Sequence, residues 1–326
     1  MILCIKPGNH LIVSFKEYIM EPKNTIKDIG ITDILTTRKG IPEDYHCDCE
    51  YCTGNFLGEL YHTESDNYYT QFTRNQYYFD KEEDNSDKHI CPGHWSGYRY
   101  AIQQFTNPGD TIFDPTVGTG TAIVESINNG RNGVGIELEF STITRRTVEL
   151  QYRNQTTTGK GEVLEGDARN ADAILSAAGY NGEFADLVVN GTPYPVLGRN
   201  QSDAPERKGK DGSKNGMIYY KNEKNAGVLK GKEYWNTINQ IYSASISRLK
   251  SGGKFITIIK DPTQNKKAYL LHKMVTDEVM KNNPVKYYGS YIHKHLPYTY
   301  FMRTYPKSFP EVRLPYYQTA IVLEKI

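Results

Sequence analysis

The residues best suited to bind a ligand follow four short apolar segments, each of which predicts a β-strand. Asp114 begins the sequence Asp-Pro-Thr-Val-Gly-Thr-Gly-Thr, which ends at Thr121. Glycines such as Gly118 and Gly120 let the backbone turn tightly and approach a ligand closely. The N–H groups at the start of the next helix can then bind a carboxylate or another acceptor. This segment predicts a ligand-binding loop between a strand and a helix.

Two more carboxylates follow the next two predicted strands. Glu137 ends the strand Gly133–Ile136, where a carboxylate can bind both hydroxyls of a ribose. Asp167 follows Glu162–Glu165, where it can accept a hydrogen bond from the amino group of an adenine. A glycine loop with an acidic residue about 20 positions later is also typical of dinucleotide-binding folds. The spacing predicts a nucleoside-containing cofactor and leaves its identity open.

The fourth predicted strand, Ala185–Asn190, leads into Asn-Gly-Thr-Pro-Tyr at positions 190–194. At this point the sequence resembles the DNA amino-methyltransferases, which use S-adenosylmethionine to modify exocyclic nitrogens. Their glycine motif, Asp-Pro-Phe-x-Gly-Ser-Gly-Thr, is similar to residues 114–121, and their Asp/Asn/Ser-Pro-Pro-Tyr motif is matched in part by Thr192-Pro193-Tyr194. Ser247-Arg-Leu-Lys-Ser-Gly-Gly resembles a further block of that family. The resemblance covers about residues 90–326.

The resemblance implies a fold and a set of site residues. The fold would be a Rossmann-like class I methyltransferase, an α/β domain with a mostly parallel sheet and helices on both faces. The catalytic residues would be Asn190, Gly191, Thr192, Pro193 and Tyr194. The residues that bind S-adenosylmethionine would be His94, Trp95, Asp114, Thr116, Gly118, Gly120, Thr121, Glu137, Leu138, Asp167 and Ala168.

The chemistry explains why such a loop is needed and where this chain departs from the motif. An exocyclic amine is a weak nucleophile. Hydrogen-bond acceptors placed against its N–H bonds favour the pyramidal geometry in which the nitrogen lone pair can attack the methyl group. An aromatic ring stacked on the flipped base holds the amine in line with that methyl group. We assign stacking to Tyr194, a backbone acceptor to Thr192 and loop stiffening to Pro193. Gly191 stands where the family has Asp, Asn or Ser, so Asn190 is the candidate replacement. A DNA enzyme, an RNA amino-methyltransferase and a catalytically impaired relative that binds nucleic acid all remain open.

The alternation of apolar segments and helical patterns predicts βαβ units that bring these strand ends to one edge of a sheet. Predicted helices cover residues 122–129, 145–153, 171–178 and 234–249, and a turn at 251–253 leads into the strand Phe255–Lys260. We divide the chain into an acidic, cysteine-containing module at residues 1–88 and a methyltransferase domain at residues 89–326. Residues 197–233 form a Gly- and Lys-rich insert within that domain.

The charge of the chain is strongly segregated along the sequence. The formal net charge is +1, yet residues 41–87 carry a net −10, residues 199–232 a net +5 and residues 248–313 a net +9. The basic segments suit DNA phosphates, although ordinary solvated surfaces give the same pattern. The insert can likewise be a phosphate-binding segment or a disordered surface loop. Residues 286–303, where aromatic and basic residues alternate, suit stacking on unpaired bases or the last strands of the sheet.

The cysteines predict a metal site better than a disulfide framework. Cys49-Glu-Tyr-Cys52 and Cys91-Pro-Gly-His94 are two short pairs with the spacing that closes a tetrahedral zinc site. The predicted structural zinc is therefore bound by Cys49, Cys52, Cys91 and His94. The alternative is that His94 and Trp95 serve the methionine end of the cofactor, as that region does in the family.

The composition excludes some classes and leaves others open. No apolar run approaches the length of about 18 residues that a membrane span needs, and the first ten residues lack a signal-peptide layout. We expect a cytoplasmic protein with DNA as its partner and with a restriction nuclease as a second partner, as in restriction–modification. Adenine or cytosine as the target base, and the oligomeric state, are not predicted.

Overall fold

A computed structural model describes residues 49–61, 95–139, 158–195, 222–261, 263–264, 267–268, 270–294 and 317–326. Six helices of four to seventeen residues lie in these ranges, together with two short 3₁₀ turns. The helices are α1 (Glu50–Thr53), α2 (Trp95–Phe105), α3 (Thr121–Asn128), α4 (Ala171–Ala177), α5 (Gly231–Ser247) and α6 (Leu271–Asn282). The strands are β1 (Phe56–Tyr61), β2 (Thr111–Asp114), β3 (Asn132–Glu137), β4 (Gly161–Glu165), β5 (Ala185–Gly191), β6 (Leu249–Ile259), β7 (Thr263–Gln264), β8 (Lys267–Ala268), β9 (Val285–Lys294) and β10 (Tyr317–Lys325).

Eight of the strands form one sheet in the order β1-β9-β10-β6-β5-β2-β3-β4. The pairs β2–β3, β3–β4, β2–β5 and β5–β6 are parallel, as is β1–β9, and only β10 among the sheet's described strands pairs antiparallel with both neighbours. The strand order reverses between β2 and β5, which is where parallel α/β sheets bind ligands. The α/β, Rossmann-like fold with a mostly parallel sheet is confirmed.

Side chains that alternate along the central strands build a core on each face of the sheet. Ile112, Leu187 and Val189 pack with Ile102 of α2 on one face. Phe113 and Val188 pack on the other face with residues of α4, α5 and α6, among them Leu175, Tyr242 and Val275. All nine of these side chains are fully buried. Because successive strand residues point to opposite faces, an apolar run such as 187–189 is covered on both sides, as the sequence predicts.

The predicted elements that fall within the described residues agree with the structure to within three residues, apart from one boundary. Strand β6 begins at Leu249, six residues before the predicted start at Phe255, so the turn predicted at 251–253 lies within the strand. The pairing of β5 with β6 is irregular there, between Ala185 and Leu187, and Gly252 has a φ of +77°. An irregular strand end was thus taken for a turn, because both use glycine. The helix predicted at 145–153 lies outside the described residues.

Residues 49–61, which belong to the predicted acidic module, lie against the main sheet. Strand β1 extends the sheet beside β9, and the Tyr51 carbonyl accepts from Tyr287 Oη and Ser290 Oγ, each at 2.7 Å. The boundary at residue 88 stays a prediction, since residues 62–94 lie outside the described ranges. Among the helices described, none combines the length and apolar character needed to cross a membrane.

Candidate active site

The glycine loop follows β2, as the sequence predicts. Asp114 is 2% exposed, and its Oδ1 accepts from the Thr116 N–H at 2.9 Å. Gly120 precedes helix α3 with a φ of +88°, a conformation that disfavours any residue with a Cβ. Thr121, the first residue of α3, is buried and lies 3.5 Å from the Thr119 hydroxyl, oxygen to oxygen. The loop therefore places backbone N–H groups at the carboxyl end of the sheet.

Glu137 lies beside this loop at the end of the neighbouring strand β3. Its two carboxylate oxygens accept backbone hydrogen bonds, one from Gly118 at 2.7 Å and one from Glu139 at 2.9 Å. The side chain is 7% exposed. Each carboxylate oxygen can accept more than one hydrogen bond, so this fixed carboxylate can also bind hydroxyl groups. The half-buried Leu138 follows it directly.

Asp167 ends the third strand segment and is held by its neighbour. Both carboxylate oxygens accept from the Arg169 guanidinium, with the shortest contact at 2.5 Å, and Oδ1 also accepts from the Arg169 N–H. Burial raises the pKa of this carboxyl, but the Arg169 hydrogen bonds outweigh it, so the pKa is lowered. The group is an ionised acceptor at neutral pH. Ala168 beside it is buried in the core.

Asn190 and Thr192 lie at the end of β5 and share a tyrosine of α5. The Tyr242 hydroxyl lies 3.0 Å from Asn190 Oδ1 and 2.8 Å from Thr192 Oγ1. Tyr242 has one hydroxyl proton and can donate to only one of them, whereas Thr192 can donate back to it. Asn190 is fully buried and Thr192 is 2% exposed. The two side chains are therefore held from one side of the sheet.

The rest of the Pro-Tyr loop is fixed by hydrogen bonds to two other elements. The Pro193 carbonyl accepts from Tyr234 Oη of α5 at 2.8 Å. The half-buried Tyr194 accepts at its hydroxyl from the Lys260 N–H, just after β6, at 3.0 Å. Both ends of the Pro193-Tyr194 dipeptide are thus anchored, and the loop is preorganised.

Gly191 lies against a residue that the sequence analysis did not single out. A Cβ atom added to Gly191 would lie 2.9 Å from the hydroxyl oxygen of Tyr98 in α2. Tyr98 is 7% exposed. Burial raises the pKa of its phenol strongly, and the nearby Asp114, Tyr194 and Tyr242 raise it further. Tyr98 therefore stays protonated at neutral pH.

Burial also changes the charge of the first carboxyl in the site. It raises the pKa of Asp114 to about 8, against a hydrogen bond from Thr116 that lowers it and the Glu137 charge that raises it further. Asp114 is therefore mostly protonated at pH 7, whereas Asp167 is ionised. The two acids differ in charge, because Asp114 is more deeply buried and Asp167 is hydrogen-bonded to the Arg169 guanidinium.

Two buried polar atoms at this edge of the sheet test whether the site fits a cofactor. The Thr116 hydroxyl and the Asn190 amide nitrogen are buried without a hydrogen-bond partner among the residues described. Such groups normally find a partner, because leaving one unpaired costs about 1–3 kcal/mol. One lies in the glycine loop and the other near the end of β5. A polar ligand at this sheet edge could supply such partners, so the residues are compatible with a nucleoside cofactor.

A second cluster of chemically active side chains lies beside α1. The Sγ atoms of Cys49 and Cys52 lie 3.3 and 3.4 Å from Nε2 of His272, near the start of α6. The three ligand atoms all lie within 4.8 Å of one another. The other ring nitrogen, Nδ1, lies 2.7 Å from a carboxylate oxygen of Asp261, and both His272 and Asp261 are buried. These residues could hold a metal ion.

Several predicted residues lie outside the described ranges or only partly inside them. Cys91 and His94 are outside, so the predicted metal set is represented by Cys49 and Cys52 alone. Trp95 begins helix α2, and its side chain is not described. Residues 197–221 of the basic insert are outside. Of the stretch 286–303, residues 286–294 form strand β9, which confirms the strand interpretation for that part.

The site also contains residues that no sequence pattern marks as candidates for chemistry. Tyr234 and Tyr242 appear in the sequence as part of the buried face of a helix, and packing explains that pattern without their hydroxyls. His272 and Asp261 are separated by more than 200 residues from Cys49, so no short spacing links them. The chain has 26 tyrosines, and that number made Tyr98 indistinguishable from the others.

Comparison with protein families supports the resemblance inferred from the motifs. Residues 24–145 match the model of a DNA methylase family, N6_N4_Mtase. The matched segment contains the glycine loop and Glu137 and ends before the Pro-Tyr loop. None of the curated proteins matches the chain significantly. The resemblance to N4- and N6-type amino-methyltransferases is confirmed over the matched residues.

Solved structures of methyltransferases resemble the fold at low sequence identity. TrmN from Thermus thermophilus is 12% identical, with a TM-score of 0.40, over 71% of this chain and 48% of its own, so the chain spans about half the length of that protein. A methyltransferase from Pyrococcus furiosus is 12% identical over 80% of this chain and 97% of its own, with a TM-score of 0.42. A SAM-dependent methyltransferase from Methanosarcina mazei is 12% identical over 69% of this chain and 96% of its own, with a TM-score of 0.41.

Proposed function

We propose that this protein transfers a methyl group from S-adenosylmethionine to an exocyclic amino group of adenine or cytosine in DNA. The observation that carries the proposal is the placement of the glycine loop, Glu137 and the Pro-Tyr loop at one edge of the sheet, where the strand order reverses. The match of residues 24–145 to a DNA methylase family supports DNA as the substrate.

The proposed roles follow from the geometry of each group. Glu137 binds the ribose hydroxyls, because both of its oxygens are fixed and can accept further hydrogen bonds. Asp167 accepts from the adenine amino group of the cofactor, and the glycine loop binds its methionine end. When bound, S-adenosylmethionine supplies an electrophilic methyl group on a sulfonium. Tyr194 stacks on the flipped base, and the Thr192 carbonyl accepts from the target amine.

The test is transfer of labelled methyl groups to unmethylated plasmid DNA, with transfer RNA and ribosomal RNA as parallel substrates. Incorporation into DNA alone, followed by digestion to nucleosides, identifies N6-methyladenine or N4-methylcytosine as the product. Incorporation into RNA alone would assign the alternative RNA activity. Cofactor binding by calorimetry without transfer to any of these substrates would identify an impaired relative that keeps the fold.

We further propose that a structural zinc ion binds Cys49 and Cys52, with His272 as a third ligand. Zinc–sulfur and zinc–nitrogen bonds of about 2.3 and 2.0–2.1 Å in a tetrahedron separate S and N by about 3.6 Å, close to the 3.3 and 3.4 Å found. The thiols of Cys49 and Cys52 both lie against Nε2 of His272. The single lone pair of this nitrogen can accept a good hydrogen bond from only one S–H group. A metal ion, in contrast, can accept one lone pair from each of the three atoms. Asp261 orients the imidazole as carboxylates do for zinc-bound histidines. Cys91 and His94 stay the predicted candidates for the remaining position.

Metal analysis of the purified protein tests this site directly. We expect about one zinc per chain, a strong loss in His272→Ala, and a 10- to 100-fold weaker affinity in Asp261→Asn, because that change removes only the orienting carboxylate. Less than a tenth of an equivalent in the unmodified protein would end the proposal.

A cytoplasmic location and pairing with a restriction nuclease remain predictions of the sequence. Sequencing of host DNA for modified bases, with and without this gene, would test whether methylation occurs in cells. Co-purification of an endonuclease would test the partner.

A further inference from the structure

The space beside Gly191, where the family motif carries a polar side chain, is filled by the Tyr98 hydroxyl. A Cβ at position 191 would lie 2.9 Å from that oxygen, a distance that real Cβ contacts do not show. Any larger side chain at this position would displace the hydroxyl. The motif side chain and the Tyr98 hydroxyl therefore compete for one position, and this chain has the hydroxyl there.

Asn190, the alternative source of an acceptor, lies on the other side of the sheet. Its side chain contacts Tyr242 of α5, on the face that contains Val188. Gly191 faces Tyr98 of α2, on the face that contains Val189. Successive residues of a strand point to opposite faces, so Asn190 cannot take the direction of the residue after it. Among the described side chains, only that of Tyr98 lies within 4 Å of the position where the motif side chain would begin at residue 191.

We propose that Tyr98 is a catalytic residue whose hydroxyl oxygen accepts a hydrogen bond from the target amine, in place of the motif's Asp, Asn or Ser. This inference rests on the proposed methyl transfer. A phenol oxygen has two lone pairs, either of which can accept a hydrogen bond from the amine. Since the phenol stays protonated, Tyr98 acts as a neutral acceptor, as Asn or Ser does, and not as a base.

The proton balance of the step agrees with a neutral acceptor. The nitrogen lone pair forms the new N–C bond as the C–S bond breaks, and the sulfur keeps the electron pair of that bond. The methylated nitrogen then carries a positive charge, and its extra proton leaves to water. Tyr98 neither gains nor loses a proton, and it directs the nitrogen lone pair toward the methyl group by holding one N–H bond.

The test compares single-turnover methyl transfer in the unmodified protein, Tyr98→Phe, Tyr98→Phe/Gly191→Ser and Tyr100→Phe. We expect Tyr98→Phe to lower the rate at least tenfold and to change the cofactor Kd less than twofold. Removal of the hydroxyl makes room for a side chain at 191, so the added serine should recover at least a third of the lost rate. Tyr100→Phe is the control, because Tyr100 lies in the same helix, equally buried, with its hydroxyl 3.5 Å from the Leu57 carbonyl.

The unmodified protein is measured first, so that the two proposals fail separately. Absence of transfer to any nucleic acid in that protein would overturn the proposed function. Given an active unmodified protein, a Tyr98→Phe rate above half of its value would overturn the role of Tyr98. A deficient Tyr98→Phe that the serine does not rescue, with melting temperature and cofactor binding unchanged, would also overturn it. Rescue is the decisive result, because a packing role of the hydroxyl gives serine at 191 no means to restore the rate.

Discussion

Asn190 is fully buried and hydrogen-bonded to Tyr242, so a structural role and a catalytic role predict different mutant behaviour. Both Asn190→Ala and Tyr242→Phe remove that hydrogen bond, and we expect each to cost about 1–3 kcal/mol of unfolding free energy. If Asn190 acts in transfer, Asn190→Ala lowers the rate at least tenfold more than Tyr242→Phe. The measurements are urea unfolding and methyl transfer under the same conditions. Equal rates in the two variants would remove Asn190 from the mechanism.

Asp114 predicts a pH dependence of stability in the cofactor-free protein. The folded carboxyl stays protonated up to about pH 8, whereas its ordinary pKa is 3.8, so unfolding releases a proton between these values. Stability contributed by this group therefore falls as pH rises from about 4 to 8, by at most about 1.4 kcal/mol per pH unit. We expect Asp114→Asn, which resembles the protonated carboxyl, to gain stability over the unmodified protein as pH rises.

Urea unfolding at pH 5, 6.5 and 8 measures that difference. A constant difference between the two proteins across this range would contradict the burial-raised pKa of Asp114. The same variant should bind cofactor more weakly near pH 8, where part of the unmodified protein carries the ionised carboxyl.

The site residues that the motifs predicted correctly are those that directly follow a strand in the sequence, because the sequence pattern itself then fixes their place at the sheet edge. Glu137 and Asp114 follow strands that the apolar pattern identifies, and the structure places both at the same sheet edge. Tyr98 could not be predicted in this way. Its contact with Gly191 depends on how α2 crosses the sheet, which no local spacing encodes. The departure at Gly191 was visible in the sequence, but its compensation was not.

At the scale of elements, the strand ends provide a matched pair of carboxylates. Glu137 of β3 and Glu165 of β4 are register partners in the parallel pair, yet Glu137 is buried and hydrogen-bonded to the glycine loop, whereas Glu165 is exposed. We expect Glu137→Gln to weaken cofactor binding at least tenfold and Glu165→Gln to change it less than twofold. Calorimetry with S-adenosylmethionine measures both. Similar losses in the two variants would indicate a general charge effect rather than a ribose site.

The elements that the sequence predicted are those with a continuous apolar strand or a helical apolar face. β2, β3, β4 and β5, and helices α3, α4 and α5, fall within a few residues of their predicted ranges. Strand β1 was not predicted, because its position in the sheet depends on β9, which lies more than 220 residues later. Helices α1 and α6 are equally far apart in the sequence, so the contact that brings Cys49 and Cys52 to His272 could not be predicted from sequence spacing. Sequence patterns thus predicted the local units and not the long-range contacts.

At the scale of the whole molecule, folding neutralises much of the charge segregation. The segment at residues 248–313 has a net charge of +9. Five of its basic residues that the structure describes form ion pairs with carboxylates outside the segment. These are Arg248 with Asp172, Lys250 with Asp186, Lys254 and Lys286 with Glu324, and Lys273 with Glu50. A sequence count of charge therefore overstates the positive surface that this segment offers to DNA. The insert becomes the stronger candidate for phosphate contacts.

This difference predicts which lysines control the salt dependence of DNA binding. Each phosphate contact by a lysine contributes about 0.9 to the slope of log K against log salt for duplex DNA. We expect the triple change Lys208→Ala, Lys210→Ala and Lys214→Ala in the insert to reduce that slope by up to about 3. The control is Lys250→Ala with Lys286→Ala, which removes residues already paired with Asp186 and Glu324 and should leave the slope nearly unchanged. Fluorescence anisotropy with one duplex at several salt concentrations measures both, and a larger loss in the control would assign the phosphate contacts to the sheet instead of the insert.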